Sequence, residues 1–187
     1  MNLANKLTVF RVILIPFFLV ALMVPEIPAG KWIAVGIFGL ASLTDLFDGK
    51  IARKYNMVTD FGKFMDPLAD KLLVCSAMIA LIELQRLAAW IVIVIIAREF
   101  IISGFRLIAS DNGIVIAAGM WGKVKTTVQM IMVILLIINL QENFPTYAGA
   151  IHIFEQVLIY ASLLLTIISL IDYLWNNRNV LSSDHQK

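Results

Sequence analysis

Apolar residues along this chain fall in long runs, and six can be read without forcing: Leu7 to Val24, Trp32 to Leu46, Leu68 to Leu84, Leu87 to Leu107, Thr126 to Leu140 and Ala150 to Leu174. Each approaches the roughly 20 residues a helix needs to cross about 30 Å of hydrocarbon. The breaks between them carry turn residues or charges: Pro25-Glu26-Ile27-Pro28, Asp48-Gly49, Glu83 with Arg86, Asp111-Asn112-Gly113, and Glu142 to Pro145. The pattern predicts an all-α, polytopic membrane protein of six transmembrane helices, in a single domain over residues 1–187. There is no internal repeat and no low-complexity tract. Lys6 and Arg11 ahead of the first run give it some likeness to a secretory signal. Five further hydrophobic segments make a retained first helix the better reading.

Composition sharpens this picture. Of 187 residues, 60% are apolar and 15% charged, against about 45–50% and about 25% in a typical soluble domain. The net charge of +2 gives no basis for a nucleic-acid partner. A single cysteine, Cys75, excludes an intrachain disulfide and reads as a small hydrophobe in a helix. With the N-terminus placed in the cytoplasm, the inner side receives 13 of the 15 Lys and Arg residues and the outer side only Lys31 and Arg86. The positive-inside rule therefore places both termini in the cytoplasm; the expected location is the plasma membrane, with several crossings. Trp32 and Trp90 fit an outer aromatic belt, Trp121 and Trp175 an inner one. His152, Glu155 and Gln156 fall near the outer end of the last helix, as interfacial, packing or dimer groups. Asp172 and the tail after Trp175 end that helix.

The chemistry begins where the apolar runs stop. From Ile33 to Asp45, and from Ile82 back to Asp70, the chain advances twelve residues, about 18 Å of helix; Leu87 to Arg98 is eleven. A crossing needs about 30 Å, so three helices place charges inside the inner leaflet, at one depth. This suggests a polar chamber open to the cytoplasm; the alternative is three short helices with charges at the interface. Asp45 and Asp48 are three apart, Asp66 and Asp70 four apart, so each pair shares a helix face. Four neighbouring carboxylates repel one another unless a cation relieves them. Hard divalent ions such as Mg²⁺ take oxygen ligands, and two pairs suit a two-ion clamp on a phosphoryl group. Ion pairing with Arg53, Lys54, Lys63 and Lys71 is the other use for these acids.

The stretch Asp45-Leu-Phe-Asp48-Gly49-Lys-Ile-Ala52-Arg53, eight residues, Gly62, three residues, Asp66, three residues, Asp70 resembles the signature of the CDP-alcohol phosphatidyltransferases without a departure. That resemblance implies a six-helix membrane bundle, often a homodimer, acting on CDP-diacylglycerol among membrane lipids. It implies that Asp45, Asp48, Asp66 and Asp70 hold two divalent ions, Mg²⁺ or Mn²⁺, and that Asp70 is also the base for the acceptor hydroxyl. Asp48, Gly49, Ala52, Arg53 and Gly62, with Asn5, Thr8 and Arg11 from the first helix, are the implied CDP-diacylglycerol set. Without a Cβ the two glycines let a nucleotide approach the backbone, and the planar donors of Arg53 suit a pyrophosphate. A buried acidic ion path through a transporter or channel is the rival class, but the signature's Gly, Ala and Arg have no role there.

Within the family, Asn5-x-x-Thr8-x-x-Arg11, Asp66-Pro67-Leu68-Ala69-Asp70-Lys71, Ala97-Arg98-Glu99 and Gly122-Lys123-x-Lys125-Thr126-Thr127-x-Gln129 resemble the bacterial, phosphatidylglycerophosphate-forming branch. The implied acceptor is glycerol 3-phosphate, a dianion for which Arg98, Arg106, Lys123 and Lys125 supply cations. Their other reading is as positive-inside anchors, strongest for Lys125. Sister enzymes taking inositol phosphate, serine or phosphatidylglycerol share the core and remain the alternative. Pro67 after Asp66 favours Asp66 as an N-cap with proline at N1, or else a kinked continuous helix.

Overall fold

The computed structural model describes the backbone of residues 3–54, 60–111, 116 and 119–178, and within these all side chains except those of residues 3–7, 45–54, 60–67, 70 and 110–111. Its long helices are α1 (Leu3–Met23), α2 (Gly30–Lys54), α3 (Asp60–Glu83), α4 (Ala89–Asp111), α5 (Met120–Ile138) and α7 (Ala148–Asn176). A single turn, α6 (Leu140–Asn143), and a 3₁₀ turn, Pro145–Tyr147, join α5 to α7. No strand occurs among the described residues. Each of the six apolar runs thus falls on a long helix, the element in which every backbone polar group is satisfied within its own segment.

Two boundaries differ from expectation. Asp48-Gly49 does not break the second helix, because α2 continues to Lys54. The residues that follow, Lys50, Ile51, Ala52 and Arg53, are mostly good helix formers and carry the ladder past one glycine. Nor does Asp66 cap a helix that starts at Pro67, because α3 begins at Asp60 and runs through the proline. One proline removes a single i→i−4 bond, and the rest of a 24-residue helix remains. At 25, 24 and 23 residues, the three charged helices are each about 35 Å long. None of the three is a short helix.

The chain divides into two compact units: residues 1–86 with 133–139, and residues 87–132 with 140–187. In the first, α1 packs on α2 and α3 through Ile15, Phe18 and Ala21 of α1, Ala34, Phe38 and Ala41 of α2, and Ala69, Leu73, Ala77 and Leu81 of α3, all buried. Alanines let helix backbones approach closely, which matters where lipid removes the hydrophobic drive for helix pairing. The Phe18 and Phe38 rings meet at 6.0 Å. Closest of all is Gly30, where a Cβ would stand 2.3 Å from the backbone oxygen of Ala21. We expect Gly30→Ala to lower the melting temperature of the detergent-purified protein, by about 1–3 kcal/mol of stability; an unchanged melting curve would show that this seam yields freely.

α3 ends in a Schellman motif: Gln85 is left-handed (φ 56), its N–H donates to the Ile82 carbonyl and that of Arg86 to Leu81. The turn aims the Arg86 guanidinium at the last turn of α5, where Nη1 donates to the carbonyls of Leu136 (3.1 Å) and Ile137 (3.2 Å). Expected only as an outer-face charge, Arg86 caps a helix C-terminus.

In the second unit α4 packs on α7, with Phe105 edge-on to Tyr173 at 5.7 Å. The buried positions of α7 include Glu155, Ile159, Ser162, Thr166, Ser169 and Tyr173, four and three apart in turn, one face of a helix. Glu155, placed near the outer end by sequence, lies inside and accepts from Gln141 Nε2 at 2.5 Å, whereas His152 is exposed. Asn176 Nδ2 donates to Asp172 Oδ1 and Asn177 Nδ2 to the Tyr173 carbonyl, closing the C-terminus of α7.

Among the described residues, Met120–Ile138 and Pro145–Asn176 are long and apolar enough to cross a membrane. Large apolar side chains face outward on the other long helices as well, among them Phe17, Leu40, Ile79, Ile93 and Leu107. A soluble monomer seldom exposes contiguous apolar area beyond a few hundred Å², so lipid is the fitting solvent. Trp32, Trp90, Trp121 and Trp175 are all exposed and each lies within three residues of a helix end, as interfacial anchors do.

Candidate active site and a buried cation cluster

The four aspartates lie on helical backbone, Asp45 and Asp48 in the last three turns of α2, Asp66 and Asp70 in the first three of α3. Helical geometry sets each pair on one face. The side chains of Asp45, Asp48, Gly49, Ala52, Arg53, Gly62, Asp66 and Asp70, and that of Asn5, lie outside the described residues. Among the described residues no group of three or more His, Cys, Asp or Glu could hold a metal ion. The donor set fits hard divalent ions by its chemistry: four carboxylates, paired at helical spacing on two helices.

Thr8 and Arg11 of α1 are described, and both are buried, at 1% and 2% exposure. They continue the inward face that carries Ile15 and Phe18. A buried arginine in a membrane helix is expensive unless paired or hydrated, which sets Arg11 apart from the exposed anchors near helix ends.

The other candidate cations belong to the second unit, and the structure sorts them. Arg98 on α4 is 8% exposed and Lys125 on α5 only 1%. Both meet Glu99, as Oε1 of that carboxylate accepts from Arg98 Nη1 at 3.0 Å and also from Lys125 Nζ. On its other edge the Arg98 guanidinium donates from Nε (3.2 Å) and Nη2 (3.0 Å) to Ser169 Oγ of α7. Ser169 in turn donates to the Thr166 carbonyl at 2.9 Å. Gly122, one turn before Lys125, faces this group: a Cβ there would touch Arg98 Nη2 at 3.5 Å. Arg98 and Lys125 are thus brought together on one oxygen, whereas Arg106 and Lys123 are exposed. Arg106 lies over the Tyr173 ring, 5.6 Å from its centroid. Lys125, for which the anchor reading is strongest by sequence, is buried against Glu99 rather than exposed near a helix end.

Sequence reasoning passed over Glu99 as a partner, and Ser169 and Thr166 altogether. A signal was available: Ser162, Thr166 and Ser169 place three hydroxyls four and three apart inside the longest apolar run of the chain. Such a stripe marks a helix face turned toward other polar groups.

Comparison with known proteins bears on what these groups do. Residues 1–168 match the family model described as CDP-alcohol phosphatidyltransferase. A Bacillus subtilis protein named CDP-diacylglycerol–glycerol-3-phosphate 3-phosphatidyltransferase is 39% identical over 195 aligned positions, covering 98% of this chain and 99% of that protein. A Haemophilus influenzae protein of the same name is 40% identical, covering 92% and 91%. A Mycobacterium tuberculosis protein named probable phosphatidylglycerophosphate synthase is 40% identical, covering 92% and 79%.

Proposed function

Because the chain belongs to the CDP-alcohol phosphatidyltransferase family, we propose that it transfers the phosphatidyl group of CDP-diacylglycerol to glycerol 3-phosphate, giving phosphatidylglycerol phosphate and CMP. The observation that carries this reading is the uninterrupted signature from Asp45 to Asp70, in a chain whose relatives of that name align over nearly their whole length. Asp45, Asp48, Asp66 and Asp70 would hold two divalent ions, which when bound supply charge neutralisation at the pyrophosphate and at departing CMP. Arg53 binds the pyrophosphate, and Gly49, Ala52 and Gly62 leave room for the nucleotide. Asn5, Thr8 and Arg11 complete that substrate's site from α1. Asp70 takes the proton of the acceptor hydroxyl, and Arg98, Arg106, Lys123 and Lys125 hold the acceptor's phosphate.

The deciding experiment supplies membranes containing the full-length enzyme with CDP-diacylglycerol and radiolabelled glycerol 3-phosphate, inositol phosphate, serine or phosphatidylglycerol in turn. Label should appear in phosphatidylglycerol phosphate from glycerol 3-phosphate, and the other three should remain unconverted. Preference for another acceptor would assign a sister activity on the same core.

The same reading has six membrane spans in one domain over residues 1–187, a homodimer, and a cytoplasmic active site in the plasma membrane. The lean of positive charge supports this orientation. With Cys75 replaced, single cysteines at Lys54 and Asp111 should react with an impermeant thiol reagent only after the cells are opened. Labelling of either in intact cells would reverse the topology.

A further inference from the structure

Two cations buried side by side repel one another, and each is costly to remove from water. Among the described residues of the second unit a shared carboxylate answers this conflict, since Arg98 Nη1 and Lys125 Nζ converge on Glu99 Oε1. A carboxylate oxygen resembles a phosphate oxygen in charge and size, so the spacing that suits one suits the other. The guanidinium is also held from behind, because Nε and Nη2 both donate to Ser169 Oγ. That hydroxyl's own proton is committed to the Thr166 carbonyl, which leaves its lone pairs for Arg98. Of the five N–H groups of an arginine, these bonds use three and leave one on each terminal nitrogen. Gly122 lies beside Nη2, and a Cβ there would come into contact with it at 3.5 Å.

We infer that Glu99 and Ser169 are positioning residues for the acceptor's phosphate: together they hold Arg98 and Lys125 convergent and oriented before the acceptor arrives. This rests on the reading above that Arg98 and Lys125 bind that phosphate. It brings α7, on which no signature residue lies, into acceptor recognition through a single hydroxyl. Glu99 gathers the two cations at one point; Ser169 sets the plane of the guanidinium.

The test uses full-length enzyme in detergent micelles, with KM measured separately for glycerol 3-phosphate and CDP-diacylglycerol. E99Q keeps the shape but removes the charge, and should raise the acceptor KM about tenfold, while S169A should raise it about threefold. For both, the KM for CDP-diacylglycerol and kcat at saturating acceptor should stay within about twofold, because the tetrad and Arg53 hold that substrate. E99D and S169T, which restore the carboxylate and the hydroxyl, should recover most of the loss. If E99Q does not fold, the S169A and S169T pair decides by itself. Should R98A and K125A raise the acceptor KM while E99Q and S169A leave it unchanged, or raise both KM values alike, the positioning role is overturned and the acceptor site stands. Should R98A and K125A also leave the acceptor KM unchanged, the acceptor reading itself is wrong and this inference goes with it.

Discussion

Asparagine in place of any one of Asp45, Asp48, Asp66 or Asp70 should all but abolish turnover, with kcat reduced by on the order of 10²–10³ or more. The substitution is nearly isosteric, so it removes a charged oxygen ligand while leaving the helix its shape. Both pairs lie on helical backbone, and no helix depends on one of them as a cap, since α3 starts at Asp60 and α2 runs on to Lys54. The melting temperature in detergent should therefore stay near that of the parent while activity disappears. Wild-type activity should require added Mg²⁺ or Mn²⁺ and vanish in excess chelator. Full turnover with the chelator present would sink the divalent-ion reading, whatever the variants do. A collapse of the melting temperature in all four variants would instead assign the acids to structural ion pairs.

The next largest effect separates the two substrates. Arg98→Ala should raise the KM for glycerol 3-phosphate and leave that for CDP-diacylglycerol nearly unchanged, whereas Arg53→Ala should do the reverse. A hydrogen bond to a charged group contributes roughly 1.5–3 kcal/mol, so each loss in kcat/KM should be on the order of ten- to a hundredfold. Arg98→Ala has a second consequence, because it leaves Glu99 and the Ser169 hydroxyl short of a buried partner. Breaking a buried pair in this way is strongly destabilising, by about 3–5 kcal/mol, so the melting temperature must be read beside the kinetics. Lys123→Ala makes the contrasting case: Lys123 is exposed, and its loss should weaken acceptor binding without touching stability. If Arg98→Ala and Arg53→Ala raise the same KM, the two cations serve one substrate, and the division of labour between the units fails.

Local pattern decided a great deal. Runs of apolar side chains force helices wherever lipid is the solvent, and the segment Pro25 to Pro28 separates α1 from α2, so the six long helices could be placed from sequence. The acid signature was equally readable, because its meaning lies in residue types at fixed helical spacing and needs no knowledge of neighbours. Helix ends were less so. The charges and Gly49 that look like a break in α2 do not stop it, since a helix ladder outlasts one weak position when its flanks favour it. What no local pattern could decide is which polar groups meet. Arg98 and Ser169 are 71 residues apart, Glu99 and Lys125 are 26 apart, and Arg86 reaches carbonyls some 50 residues on. Each pairing depends on which faces of separate helices turn toward one another. Charge counting along the chain left Lys125 either a cation for the acceptor or an anchor at the membrane surface; packing of α4, α5 and α7 made it a buried ammonium on a shared carboxylate, because a cation taken out of water must find its counter-charge within the fold.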